Sequence, residues 1–555
     1  MAQRRIVTGH DSEGRSVVLE DGPVPVSNEL PEGSRFDEVW ISAETPVRLS
    51  PREPEPTHPD AEIPPPAHGS LVRVIETPAG VKVPLHRTES IDYGIVLDGE
   101  MTLILDSGEE VTLRRGDVVV QRGTEHAWEN RGTGPVTMFI ASVDGEFTPD
   151  LEGAFAAEAS RSATPSTGTF DVDAIRARFS SLRDGFAFLD APGGSQVPDE
   201  VGAAVAASFI DASGNLGAPY ATGERVEEIL FGAKADAARF LGGDGDNIVF
   251  GPNMTSVNFA LSRSAGRDLG PGDEVLITRL DHDGSAAPWV ELAADRGFEV
   301  KLVDTTEDFR LDYEDLERKL SDRTRIVAFP WASNVFGTRV DAARVCALAH
   351  EAGALAWVDA VHYAAHEPVD VAAIGADVLL CSAYKFCGPH LGMAHVRPEV
   401  AQDWRPYKAR PSASNPFGRR FETGTPTYEL LAGLSATFAY IDSIGGIGAT
   451  VAPERALAER FVAELPDGVE IYGPPLEDRL PTFLLNVEGV PAATVAREMA
   501  KRDIGVWHHD HYYALGVADR LPYPEEAIRA GFIHYNTTAE VDRFIAALGE
   551  LAAGS

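Results

Sequence analysis

The chain has 555 residues, too many for one core at roughly 150 residues per domain, so two to four units are expected. With 44% hydrophobic and 24% charged residues and no apolar run of 18 or more, the composition is that of a globular protein and argues against a bilayer-spanning helix. A formal charge of −38 disfavours nucleic acid or an anionic membrane as partners, since both require a basic face, and three cysteines (Cys346, Cys381, Cys387) cannot build a disulfide framework or a paired zinc site.

From Met1 the chain runs into polar sequence rather than the apolar stretch of a secretory signal, so a cytoplasmic protein is expected. Pro51 to Pro66 (PREPEPTHPDAEIPPP) reads as an extended loop. Leu71 to Val143 reads as short alternating strands punctuated by turns, the pattern of a β-barrel or sandwich. Ala156 to Gly168 is small and polar, as a linker is. From Thr169 onward, strands such as NIVFGP, EVLITRLD, RIVAFPWAS, ALAWVDAV and ADVLLCSA alternate with amphipathic stretches, which predicts a parallel sheet flanked by helices. The C-terminal part adds helices and a few strands, TFLLNVEG and AGFIHYN, as a smaller α+β layer. The expected boundaries are 1–150 for the β domain with its N-terminal extension, 151–168 for the linker, 169–425 for the large α/β domain and 426–555 for the small domain.

Within the β region, LHRTESIDYGIVLDGE carries His86, Thr88, Asp92 and Gly99, and GDVVVQRGTEHAWEN carries Gly116, Gly123, His126 and Asn130. The glycines suit tight turns between barrel strands. These two motifs resemble those of a cupin. In metal cupins the first motif supplies two histidines and a glutamate; here it supplies His86, Thr88 and Asp92, so one ligand is missing. With His126 there remains a set of two histidines and one carboxylate, adequate for a divalent first-row metal such as Fe, Mn, Ni or Zn. A metal-free pocket that senses a small molecule, or a dimerisation domain, is the alternative.

In the α/β region CSAYKFCGPH places Lys385 just after a strand, where open α/β sheets bind ligands. VDAVH ends another strand with Asp359, a carboxylate that a buried site tolerates only against a cation such as a protonated pyridine nitrogen. GPNMTS sets Thr255 and Ser256 at a helix start, where backbone N–H groups hold phosphate. TRLDHDGSAAPW offers His282, an imidazole suited to stacking on a planar ring, and PWASNVFGT offers Asn334 as a neutral donor.

Taken in this order, and with FETGTP downstream, the motifs resemble the class V aminotransferase family, in its cysteine desulfurase and isopenicillin-epimerase-like branch, from about Phe188 to Ala547. The resemblance implies pyridoxal 5'-phosphate held by Lys385 as a Schiff base, Asp359 on the pyridine nitrogen and His282 stacked on the ring. It implies that Thr255, Ser382 and Tyr384 hold the phosphate and that His362, three residues after the aspartate, contacts the phenolic oxygen beside Asn334. Thr425 in FETGTP is implied to reach the phosphate of a second subunit, so a homodimer with shared sites follows. Arg529 in IRAGFIHYNT matches the family arginine for a substrate α-carboxylate, a role suited to its bidentate fork.

The resemblance stops at IGVWHHDHYYALGV, where Tyr513 stands in place of the cysteine that carries sulfur as a persulfide. The resemblance implies that His511 and Tyr513 lie near the substrate side chain, within a cluster that also holds His508, His509 and Tyr512. The expected activity is therefore a pyridoxal-phosphate lyase acting on an amino acid through an α-carbanion, by β-elimination at a C–S or similar bond without a persulfide cysteine. Transamination or epimerisation by the same carbanion is the alternative. A fused cupin suggests a specialised pathway.

Overall fold

The computed structural model describes residues 3–145 except 12, 30–32, 44, 48–49, 51–54, 58–63, 67, 84–86 and 108, together with 147, 151, 170–409, 415–514 and 526–554. The chain divides into two compact units, Met1–Thr164 and Pro165–Ser555. No single described helix is long and apolar enough to cross a membrane.

In the first unit all strand pairings are antiparallel. Six strands form one sheet in the order Val26–Glu29, Arg35–Ser42, Ser70–Thr77, Val136–Asp144, Ser90–Asp98, Val118–Arg122. Three more, His126–Glu129, Glu100–Leu105 and Glu110–Arg114, form a second, and Arg4–His10 pairs with Ser16–Pro23. Val96, Met101, Leu103, Leu113, Val136 and Met138 make the core between the sheets. Gly99 holds φ at +85° in the turn after Asp98, and a Cβ there would stand 2.9 Å from Val136 Cγ2.

The strands before Leu71 escaped the periodicity reading for a physical reason. Arg35–Ser42 buries Asp37 and Glu38, each 1% exposed, so the inward face is not apolar. Glu38 lies opposite Arg73 on the neighbouring strand and meets its guanidinium at 3.2 Å. Much of the proline-rich stretch 51–66 and the whole linker 156–168 lie outside the described residues.

The second unit is built on a seven-stranded sheet in the order Ile248–Gly251, Gly392–Val396, Val378–Ser382, Leu355–Asp359, Thr324–Pro330, Glu274–Thr278, Glu299–Val303. It is parallel except for Gly392–Val396, which runs antiparallel to both neighbours. Burial on both faces explains why its strands read as continuous apolar runs. A smaller antiparallel sheet follows, in the order Val469–Tyr472, Thr482–Val487, Ala527–Gly531, Trp507–His509.

Two connections depart from a simple division along the chain. Ala187–Phe188 pairs in parallel with Ile504–Gly505, and Ala187 and Leu189 enter the core of the small layer. Helix Tyr428–Ser443 instead buries Leu431, Leu434 and Phe438 in the core of the large sheet and packs on helices Asp199–Asp211 and Ala221–Leu241.

Candidate active site

Strand ends of the large sheet converge on one cavity. Its wall holds Thr255, His282, Asn334, Asp359, His362, Ser382, Tyr384 and Lys385, joined by Asn253, Met254 and Pro330. These residues are spread over more than 130 positions of sequence, from 253 to 385, and meet because parallel strands all deliver their C-terminal ends to one edge.

Lys385 lies in a 3-10 turn, Ala383–Lys385, directly after strand Val378–Ser382. Its Nζ donates to the Pro192 carbonyl and sits 5.0 Å from the centre of the Tyr384 ring. Burial, reinforced by the positive charge of Arg529, pulls the ammonium down to about 7. Asp359, at the end of its strand, accepts from the Val361 N–H at 2.9 Å, and burial pushes its carboxyl up to about 6. Among the described residues neither group is in a close ion pair with a side chain, and the carboxylates of Asp190 and Asp359 offset only part of the effect of burial on Lys385.

His282 caps helix Asp283–Arg296, its Nδ1 accepting from the Gly284 N–H at 2.9 Å, and burial lowers it to about 4. The imidazole is thus neutral, with its ring presented to the cavity. His362 bonds Thr482 Oγ1 through Nε2 at 2.9 Å and is held well below its ordinary value by burial. Asn334 donates through Nδ2 to the Tyr512 carbonyl at 2.9 Å, while its Oδ1 is buried without a partner. The expected donor is therefore already engaged, and what it leaves in the wall is an orphaned acceptor.

At the other side of the cavity, Asn253 rather than Thr255 or Ser256 caps helix Met254–Ala265. The Met254 N–H donates to Ser382 Oγ at 3.0 Å, which ties the helix start to the strand that carries Lys385. Thr255 lines the cavity; Ser256, one position further round the helix, is exposed and does not. Tyr384 stacks on His390, ring centres 4.8 Å apart and nearly coplanar at 6°. Thr425 is exposed, outside the cavity.

Arg529 does not precede a strand as expected from its sequence; it sits within Ala527–Gly531, fully buried. Nη1 donates to the Asn334 carbonyl at 3.1 Å, Nη2 to Asp190 Oδ1 at 3.3 Å, and Nε has no partner. Its guanidinium lies 4.5 Å from the Tyr512 ring centre. Asp190 was not visible as a site residue, because its partner is 339 positions away. Tyr513 is half-exposed with φ at +57°, its ring 5.7 Å from that of His282 and its carbonyl accepting from the Asp283 N–H at 2.5 Å. His511 accepts the Tyr513 N–H on Nδ1 at 2.9 Å and brings Nε2 to 3.3 Å from Asp510.

The three thiols are all buried. Burial pushes Cys346 and Cys387 up to about 12 and Cys381 well above its ordinary value. Cys387, two residues from Lys385, has φ at +68° and lies 3.9 Å from His534 Nε2 rather than facing the cavity.

The residues present fit pyridoxal phosphate. A buried primary amine, a buried carboxyl lacking a cation, a neutral imidazole and a twelve-residue helix that starts in the cavity wall are the complementary groups for its aldehyde, ring nitrogen, ring face and phosphate. In the first unit, His126 is buried and its Nδ1 faces the Thr124 carbonyl at 2.8 Å, which fixes the proton on Nδ1. Asp92 accepts from Ser90 Oγ at 2.9 Å, and His86 lies outside the described residues.

Comparison with known proteins agrees with this geometry. Residues 187–544 match the aminotransferase class-V family, and residues 73–142 match the cupin domain. A probable cysteine desulfurase of Mycobacterium leprae (strain TN) is 32% identical over 411 residues, covering 69% of this chain and 97% of that relative. An aminotransferase-like protein of Gibberella zeae is 30% identical over 408 residues, covering 69% and 99%. Among solved structures, the apo cysteine desulfurase of Thermococcus onnurineus NA1 aligns with a TM-score of 0.65 at 26% identity, over 69% of this chain and 98% of that one.

Proposed function

This chain belongs to the class V aminotransferase family of pyridoxal-phosphate enzymes, with a cupin domain ahead of the catalytic fold, and we propose that it is a lyase that removes a β-substituent, typically sulfur, from an α-amino acid without forming a protein persulfide. The observation that carries this reading is the state of its thiols. All three are buried, and their protons are held by burial, so none is a mobile thiolate able to attack the substrate sulfur.

Pyridoxal phosphate on Lys385 would supply the electron sink that weakens the bonds at Cα. The chain's own residues do the rest. Arg529 carries a buried Nε without a partner and a guanidinium shared with Asp190, and it binds the substrate carboxylate in a bidentate fork. This fixes Cα over the cavity that Lys385 enters. Lys385 Nζ, drawn down to about 7, takes up the Cα proton near neutral pH and returns it. Neutral His282 would hold the ring face without adding a charge, and Asp359 would stabilise a protonated ring nitrogen. His511 and Tyr513, on the rim beside His282, protonate the leaving group. Thr425, exposed in the single chain, completes a phosphate site only across a homodimer.

The test is incubation of the holoenzyme with L-cysteine and other β-substituted amino acids, following pyruvate, ammonia and sulfide, exchange of the Cα proton, and the mass of the protein. Release of all three products with unchanged protein mass is expected. Proton exchange without release would replace the lyase reading with an epimerase or aminotransferase, and one added sulfur on a cysteine would restore the desulfurase mechanism.

For the cupin domain we propose a divalent first-row metal held by His86, Asp92 and His126; the orientation of His126 favours it. The opposing influence is Arg73, whose positive charge already acts on Asp92. Metal analysis of the full chain beside His126→Ala decides between this and a metal-free sensing pocket: stoichiometric metal lost in the variant is the expected result.

A further inference from the structure

A second cavity, about 260 Å³, lies in the α/β unit apart from the catalytic one. Its wall shares a border with the active site: His366 packs edge-on against His362, ring centres 5.2 Å apart, and Pro481 precedes the Thr482 that holds His362.

The charges in this wall pair off, with one exception. His366 Nδ1 meets Glu454 Oε2 at 2.6 Å, Arg339 meets Glu367 at 3.3 Å, and Arg455 meets Glu459 at 2.8 Å. Arg479 is 5% exposed and has no carboxylate partner among the described residues. Nη2 donates to the Tyr472 carbonyl at 2.6 Å, Nε is buried without a partner, and among the described residues Nη1 makes no hydrogen bond. The guanidinium also lies 5.3 Å from the Phe483 ring centre. Room has been made for it: Gly473 holds φ at +103°, and a Cβ there would stand 2.6 Å from Nη2. A buried cation with most of its donors unused is an incomplete ion pair, and the missing half is an anion.

The wall also sets the kind of anion. One unmatched positive charge calls for one negative charge, because the other charges of the wall are already paired. The remaining surface, Val451, Ala458, Leu480 and Pro481, is apolar. We propose that this cavity is a binding site for a small organic monocarboxylate, its carboxylate on the Arg479 fork and its hydrocarbon tail against these four residues.

Calorimetric titration of the holoenzyme with sodium butyrate, against sodium chloride at equal ionic strength, tests it. Saturable binding to butyrate alone is expected, weakened about tenfold or more in Arg479→Met, which removes the fork, and in Val451→Phe, which fills the cavity while leaving Arg479 in place. Arg529→Met, which empties the catalytic carboxylate site, retains it. Butyrate heat no greater than chloride, heat unchanged in Val451→Phe, or heat lost only in Arg529→Met overturns the proposal. If Arg479→Met does not fold, Val451→Phe and Arg529→Met suffice to decide.

Discussion

A buried pair in the β unit and two buried groups at the active site of the α/β unit treat charge in opposite ways. In the β unit Arg73 and Glu38 are 4% and 1% exposed and lie 3.2 Å apart, so each neutralises the other. In the α/β unit Lys385 and Asp359 are buried as deeply, yet neither has an ion-pair partner among the described residues, and burial draws them to about 7 and about 6. A charge whose partner is supplied by the fold is part of the core. One whose partner is withheld marks where a ligand completes the structure, at a cost in stability that the apoprotein carries.

The sharpest way to break this contrast is at the unpaired lysine. Lys385→Ala should lower turnover by about a thousandfold or more and abolish the visible absorbance of the bound cofactor. Retained absorbance would place the cofactor linkage elsewhere. Arg529→Ala should cost about a hundredfold in kcat/KM, chiefly through KM, because it removes a bidentate carboxylate contact. An unchanged KM for amino acids would remove Arg529 from substrate binding.

On the paired side, Glu38→Gln removes the carboxylate that meets the buried guanidinium of Arg73. It should destabilise the β unit by about 3 kcal/mol in chemical denaturation while turnover in the α/β unit stays the same. A much smaller loss would mean that the pair is not the interior partner it is taken for.

A pH series sharpens the comparison further. Lys385 has its ammonium form disfavoured, so it is deprotonated above about 7 rather than above its ordinary 10.5. Capture of pyridoxal phosphate by the apoprotein requires the free amine, and its rate should rise through about pH 7 and then level off. A rate still climbing toward pH 10 would show that the lysine is not depressed. The smallest effect is expected at Cys387, where Ala should leave turnover within about twofold, as for a buried thiol that only packs; a large loss would reopen sulfur relay through this residue.

Much of the catalytic site was legible because its residues follow strands whose apolar runs end abruptly in polar motifs, as SAYKFCGPH and VDAVH do. Lys385, Asp359, His282 and His362 could be placed at one sheet edge on that basis, and they line one cavity. Ser256 and Asn334 show the limit. Which side of a helix start faces the cavity, and whether an amide's donor is already taken, depend on one turn of helix and on Tyr512, 178 residues away. Strand Arg35–Ser42 was missed because Asp37 and Glu38 break the apolar alternation that marks a half-buried strand.

The amino-acid sequence by itself determined the alternation of strands and helices in the large α/β region, the two kinds of fold, and the absence of a cysteine where Tyr513 stands. Only the tertiary structure decided which charges are paired: Asp190 on Arg529, Glu38 on Arg73, and, among the described residues, no close ion pair on Lys385, Asp359 or Arg479. Periodicity reports which face of an element leaves water. The partner of a buried charge is set by long-range packing, across separations such as the 339 residues between Asp190 and Arg529, and local sequence carries no record of it.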